Sequence, residues 1–168
     1  NHLLNEIKNF DETEEKLVGC AAIILTGLAY KAEKKSLDSG LNILKNIIKN
    51  SLYKQGIPKF KTIQNIVFYL KYLIIIREWF KESQNPIPEY VDETIYYLGS
   101  SYAFIWQNIK QDIFFNGNYS SNHHEFDQYL KRFGYTFKNQ INELAGYTIL
   151  QNKKFILAAD IGSNPEKI

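Results

Sequence analysis

The chain has 168 residues, 45% of them hydrophobic and 23% charged, with 20 basic against 18 acidic side chains for a formal net charge of +2. That length suits one domain of ordinary size, or one domain with the edge of another, and the composition excludes a chain disordered along its body. The near balance of charge leaves no electrostatic footprint for nucleic acid, and the apolar runs, such as Tyr72 to Ile76 between Lys71 and Arg77, fall far short of a membrane span. The lone cysteine, Cys20, has no partner for a disulfide within the chain and sits in an apolar stretch, where a buried, unreactive thiol is expected. There is no methionine, and no charged n-region with an apolar h-region opens the chain at Asn1, so both ends are expected to be cuts in a longer polypeptide.

Helical periodicity dominates the first four-fifths. From about Thr13 to Lys31, Leu17, Cys20, Ala21, Ile24, Leu25 and Leu28 fall at spacings of three and four, giving one apolar face. Asp11 or Thr13 is expected to cap this helix, with Glu12, Glu14 and Glu15 suiting the positive end of its dipole. A second helix is predicted from about Ser36 to Tyr53, bearing Leu37, Leu41, Leu44, Ile47, Ile48 and Leu52, before Gly56 and Pro58 interrupt. A third, capped by Thr62 and running to about Lys81, is apolar nearly all round and so is expected to be buried. After Asn85-Pro86-Ile87-Pro88, Pro88 opens a fourth helix with Tyr90, Val91, Ile95 and Leu98, and a further helical stretch covers about Ser101 to Ile109.

Residues 112–120 read as an extended segment and a turn. Asn122, with Glu125 three residues on, caps a short helix carrying Phe126, Tyr129, Leu130 and Phe133, which Gly134 ends. After about Glu143 the period becomes that of strands: 146–150 and 155–160 flank Gln151 to Lys154 as a hairpin, which needs a larger sheet to join. The pattern predicts a mainly α chain, an array of helical hairpins followed by a β start.

Several segments, in order, resemble the heparinase II/III-like family, in particular an uncharacterised bacterial branch. Asn1-His2-Leu3-Leu4-Asn5 resembles a helix-opening Asn-His motif, and Ile23 to Tyr30 is similar to the helix after it. Lys54-Gln55-Gly56-Ile57-Pro58 resembles a stretch usually reading Asp-Gly-Gly or Asp-Gly-Phe-Pro, followed by the long helix matched by Leu70 to Trp79. Phe114-Phe115-Asn116-Gly117 resembles a Leu-Phe-Asn-Gly loop, and Gly146-Tyr147 through Asp160-Ile161-Gly162 resembles the opening of a β-sandwich. The resemblance implies an incomplete α/α toroid over 1–143 and the first strands of a β-sandwich over 144–168. It also implies part of a polysaccharide lyase that cleaves uronic-acid-containing glycans by β-elimination, in the bacterial periplasm or cytoplasm, with no lyase activity expected of these 168 residues by themselves.

β-Elimination removes a proton beside a carboxylate, so such a site needs a group that binds the carboxylate, a base, and an acid for the leaving oxygen. The resemblance places Asn116, Tyr119 and Thr62 as candidate catalytic residues, and Lys61, Trp106 and His123 as candidate substrate-binding residues. Where the branch usually has Arg-Asn-Pro, this chain has Lys61-Thr62-Ile63, so the carboxylate-binding amide is absent. His123 and His124, adjacent on a helix, point about 100° apart and are not expected to share a metal ion. No metal is expected in this chain; a structural zinc and further histidines are implied for the rest of the sandwich. The expected partners are an acidic polysaccharide or oligosaccharide and that remaining sandwich. The alternative is a non-catalytic carbohydrate-binding or scaffold domain of the same fold, and a helical protein-interaction array is a third possibility.

Overall fold

The computed structural model describes residues 5–7, 9–10, 12–30, 34–53, 59, 62–107, 123–138, 143–144, 147–151 and 155–161. It is mainly helical, with a small antiparallel sheet. The elements in order are α1 (Thr13–Ala29), α2 (Lys34–Ser51), α3 (Ile63–Glu82), α4 (Glu89–Tyr102), a π-helical turn (Ala103–Gln107), α5 (His123–Arg132), and strands β1 (Glu143–Leu144), β2 (Tyr147–Gln151) and β3 (Ile156–Asp160). They form two compact units, one of Asn1–Leu52 with Tyr69–Ile95, the other of Tyr53–Phe68 with Tyr96–Ile168. Among the described residues, no helix is long and apolar enough to cross a membrane.

In the first unit, α1 and α2 pack through small residues. α1 buries Leu17, Gly19, Cys20, Ala21, Ile23, Ile24 and Gly27, and α2 buries Ser36, Gly40, Leu44, Ile47 and Ser51. The missing side chains are what let the helices close: a Cβ on Gly27 would lie 2.6 Å from the backbone nitrogen of Leu37, and one on Gly40 would lie 2.8 Å from Ile24 Cγ1. The Cys20 thiol donates to the Gly40 carbonyl oxygen at 3.1 Å, and burial pushes its pKa up to about 12, so the thiol is inert as its apolar surroundings predict.

This seam also corrects the apolar face expected of α1. Leu25 is exposed and Leu28 half-buried, because the buried side rotates toward Ile23 and Gly27, where α2 comes close, and toward Gly19, which packs on Ile7 and Phe10. The expected cap is corrected as well. Glu12 occupies the N-cap position with no side-chain cap bond, and its carbonyl accepts from the Lys16 N–H, leaving Thr13 as the first helical residue.

α3 is buried as its apolar circumference requires: Ile63, Ile66, Tyr69, Leu70, Leu73, Ile74, Ile76 and Phe80 are all removed from solvent. Its first-unit portion ends with a Schellman pair, Asn85 N–H to Phe80 O at 3.0 Å and Gln84 N–H to Lys81 O at 3.1 Å, with Gln84 in the left-handed region at φ 56°. Tyr90 on α4 donates its hydroxyl to Leu41 O on α2 at 3.1 Å, and Arg77 on α3 pairs with Asp92 on α4.

The two helical stretches expected around 88–98 and 101–109 are joined: α4 runs unbroken to Tyr102 and passes into the π turn at 103–107, while 108 and 109 lie outside the described residues. Gly99, Ser100 and Ser101, where the two stretches meet, are helix interior: Ser101 donates to Tyr97 O at 2.7 Å, and Gly99 leaves room for the Phe137 ring, which would stand 2.1 Å from a Cβ there. α5 runs from His123 to Arg132 and is closed by Gly134, which has φ +73°. The closing bonds run from Tyr135 N–H to Leu130 O at 2.9 Å and from Gly134 N–H to Lys131 O at 3.1 Å. The predicted cap Asn122 and the extended segment 112–120 lie outside the described residues.

The hairpin forms in the predicted place. β2 and β3 pair antiparallel from Tyr147↔Asp160 to Gln151↔Ile156, and β1 adds beside β2 to give the order β1-β2-β3. Leu150 and Leu157 face each other across the pair and are 58% and 51% exposed.

Candidate functional site

The second unit holds a cavity of about 480 Å³, built by the end of α4, the π turn, α5 and the segment after it. Tyr102 and Trp106, four residues apart, point to one side, and both donate to a single carboxylate. The Tyr102 hydroxyl reaches Asp127 Oδ1 at 2.8 Å and the Trp106 indole Nε1–H reaches Asp127 Oδ2 at 3.2 Å. Trp106 lies inside the π turn, a backbone variant that occurs in short pieces and often at functional sites.

α5 supplies the other polar groups. Asp127 and Lys131 are one turn apart and both line the cavity, with His124 and Gln128 beside them. Gln128 Nε2 lies 2.9 Å from His124 Nε2. The buried side of the same helix anchors it: Phe126 meets Tyr102 edge-on at 5.0 Å between ring centroids, and Phe126 and Leu130 are buried. Tyr135, Thr136 and Phe137 also line the cavity, just after the Schellman turn at Gly134.

The electrostatics are set by burial. The Tyr102 phenol is raised well above its usual range, first by desolvation and then by its bond and charge interaction with Asp127. Tyr102 therefore stays a proton donor to the carboxylate and is no base at neutral pH. Among the described residues no group of three or more His, Cys, Asp or Glu side chains is placed to hold a metal ion.

Of the candidate site residues, Trp106 stands on this cavity wall, half-buried. Thr62 is half-buried at the start of α3, where its Oγ1 accepts the Asn65 N–H at 3.3 Å, and it is not among the cavity's lining residues. His123 is the first residue of α5, but its side chain lies outside the described set; its neighbour His124 is the histidine that lines the cavity. Lys61, Asn116 and Tyr119 lie outside the described residues. Tyr102, Asp127, Gln128 and Lys131 were not among the candidates. The four-residue spacing of Tyr102 and Trp106 was a readable signal, since it puts both on one helix face. Asp127 had none, being one carboxylate on the polar side of a short amphipathic helix.

The chain matches no family model, no curated protein and no solved structure.

Proposed function

We propose that this chain is the glycan-holding helical portion of a heparinase II/III-like polysaccharide lyase, an α/α toroid segment leading into a β-sandwich, and that the cavity at Trp106 and Asp127 is one of its sugar-binding positions. The observation that carries the reading is the Trp106–Asp127 pair on a cavity wall shared with Tyr102, Tyr135 and Phe137. Aromatic surface accepts the C–H face of a pyranose, and a fixed carboxylate accepts from hydroxyl groups; such convergent polar groups in a concave, aromatic-lined site are the general form of a small-ligand pocket. The exposed Leu150–Leu157 pair supports the sandwich part of the reading, because a sheet face of that kind requires a covering layer.

The test is isothermal titration of the chain with hyaluronan, heparan and alginate oligosaccharides. Saturable binding with Kd of about 1 mM or tighter, equivalent to roughly −4 kcal/mol, is expected with hyaluronan and heparan, in which uronates alternate with amino sugars, and should be lost in Trp106→Ala. Absence of any saturable heat with all three ligands would reject the proposal.

One observation favours the non-catalytic alternative, a carbohydrate-binding domain of the same fold. The Thr62 hydroxyl, at the position of the absent carboxylate-binding amide, caps α3. In that case the complete polypeptide binds acidic glycans without forming the unsaturated product whose ultraviolet absorbance marks elimination.

A further inference from the structure

We infer that the position at Asp127 takes an uncharged, hydroxyl-bearing sugar residue and excludes a uronate. The inference rests on the glycan-binding reading above and adds the class of residue that this one position accepts.

A carboxylate only accepts hydrogen bonds, with about four acceptor directions over its two oxygens. Tyr102 occupies one direction on Oδ1 and Trp106 one on Oδ2, from adjacent turns of the same helical segment. The two donors fix the carboxylate's rotation and place, so its remaining acceptor directions are set before any ligand arrives. Two oxygens fixed side by side match a pair of neighbouring hydroxyl donors, which is what a pyranose ring edge presents. A second carboxylate has no proton to offer at neutral pH and meets like charge instead.

The surrounding groups leave that preference in place. Lys131 is the lysine among the described lining residues, one turn beyond Asp127 on α5, and it is exposed. Its charge offsets that of Asp127 without supplying the excess positive charge that capture of an anion needs. His124 and Gln128 engage each other. The aromatic side chains on the lining, Tyr102, Trp106, Tyr135 and Phe137, suit the apolar face of a sugar ring whatever its charge. A cavity of about 480 Å³ lies within the range of roughly 300–1,000 Å³ usual for small ligands.

The Trp106 indole N–H is a direct reporter, because it donates to the carboxylate in question. The chain has two tryptophans, so its ¹⁵N–¹H spectrum contains two indole resonances, assigned with Trp79→Phe. The chain is titrated with cellotetraose as the neutral probe and with tetragalacturonate as the acidic probe of equal length. The expected result is a saturable shift of the Trp106 indole signal with cellotetraose, and at least about tenfold weaker perturbation of that signal by tetragalacturonate. In Asp127→Asn the preference narrows, because the like charge is removed while an acceptor oxygen remains. A Trp106 shift at equal or lower concentration of tetragalacturonate in the unmodified chain overturns the inference and leaves glycan binding standing. Tetragalacturonate binding that moves other resonances, with Trp106 unmoved by both probes, also overturns it. No perturbation of any resonance by either probe removes the glycan-binding reading and this inference together. The comparison in the unmodified chain decides the matter even if Asp127→Asn does not fold.

Discussion

A Cβ on Gly27 would stand 2.6 Å from the backbone nitrogen of Leu37, so α1 and α2 meet at this point with no room for a side chain between them. Alanine in place of glycine inside a helix ordinarily gains about 0.5–1 kcal/mol. Here the obstacle is backbone, which cannot swing aside as a side-chain end would. Overpacking of this kind typically costs about 1–3 kcal/mol. Gly27→Ala is therefore expected to be a net loss, on the order of 1–2 kcal/mol in urea unfolding. A gain in stability would show that α2 moves away from α1 at little cost.

Gln84 offers the opposite case. It closes α3 in the left-handed region at φ 56°, where glycine is the usual residue and a side chain is strained. Gln84→Gly relieves that strain and is expected to raise stability by about 0.5–1 kcal/mol, net of the added freedom of the unfolded chain. For a chain of this size the melting temperature should rise by roughly 1–4 °C. No rise, or a fall, would mean that the Gln84 side chain contributes more than its backbone strain costs.

Alkaline pH should unfold the first unit by a route that follows from two buried groups. Cys20 is raised from 9.0 to about 12 and Tyr90 from 10.0 to about 12, both chiefly by burial. Each must stay protonated in the fold, so its contribution is fully present below the unfolded pKa and is lost as pH climbs through the folded one. Stability should be flat to about pH 9 and then fall, by up to about 1.4 kcal/mol per pH unit for each group titrating. Cys20→Ala should flatten the curve between pH 9 and 10, and Tyr90→Phe should flatten it above 10. Denaturant midpoints measured across that range check this; unchanged slopes in both variants would contradict the burial.

The Tyr102–Asp127 bond at 2.8 Å joins a half-buried carboxylate to a buried phenol. Hydrogen bonds to charged groups contribute about 1.5–3 kcal/mol, so Tyr102→Phe should destabilise by roughly that amount. In a double-mutant cycle with Asp127→Ala the two losses should fall short of additivity, because each variant already breaks the same bond. Strict additivity would show that the pair does not interact in solution.

Where the chain is helical was largely legible from its periodicity, because the core-facing residues of α2, α3 and α5 repeat at helical spacing and Thr62 and Gly134 are ordinary terminal signals. The hairpin was legible too. What failed were places where tertiary packing overrode a local signal. Two helical stretches were expected on either side of Gly99, yet the helix runs through it, and its missing side chain makes room for Phe137. Leu25 fits the apolar face, yet the contact belongs to glycines, whose importance lies in what they lack. The cavity was half legible: Trp106 stood out, whereas its partner Asp127 comes from a separate helix 21 residues on, and that pairing is a product of the fold.

The glycine seam also bears on the order in which the chain folds. α1 ends at Ala29 and α2 starts at Lys34, so their docking closes a short loop at small entropic cost. The seam gives that early encounter a demanding geometry, since Gly27 and Gly40 each sit against the facing helix with no room for a side chain. A pair that meets fast and packs this closely is suited to act as a nucleus. Cys20→Ala, which shaves the middle of the seam, should then slow folding in proportion to the stability it removes, while leaving the unfolding rate nearly unchanged.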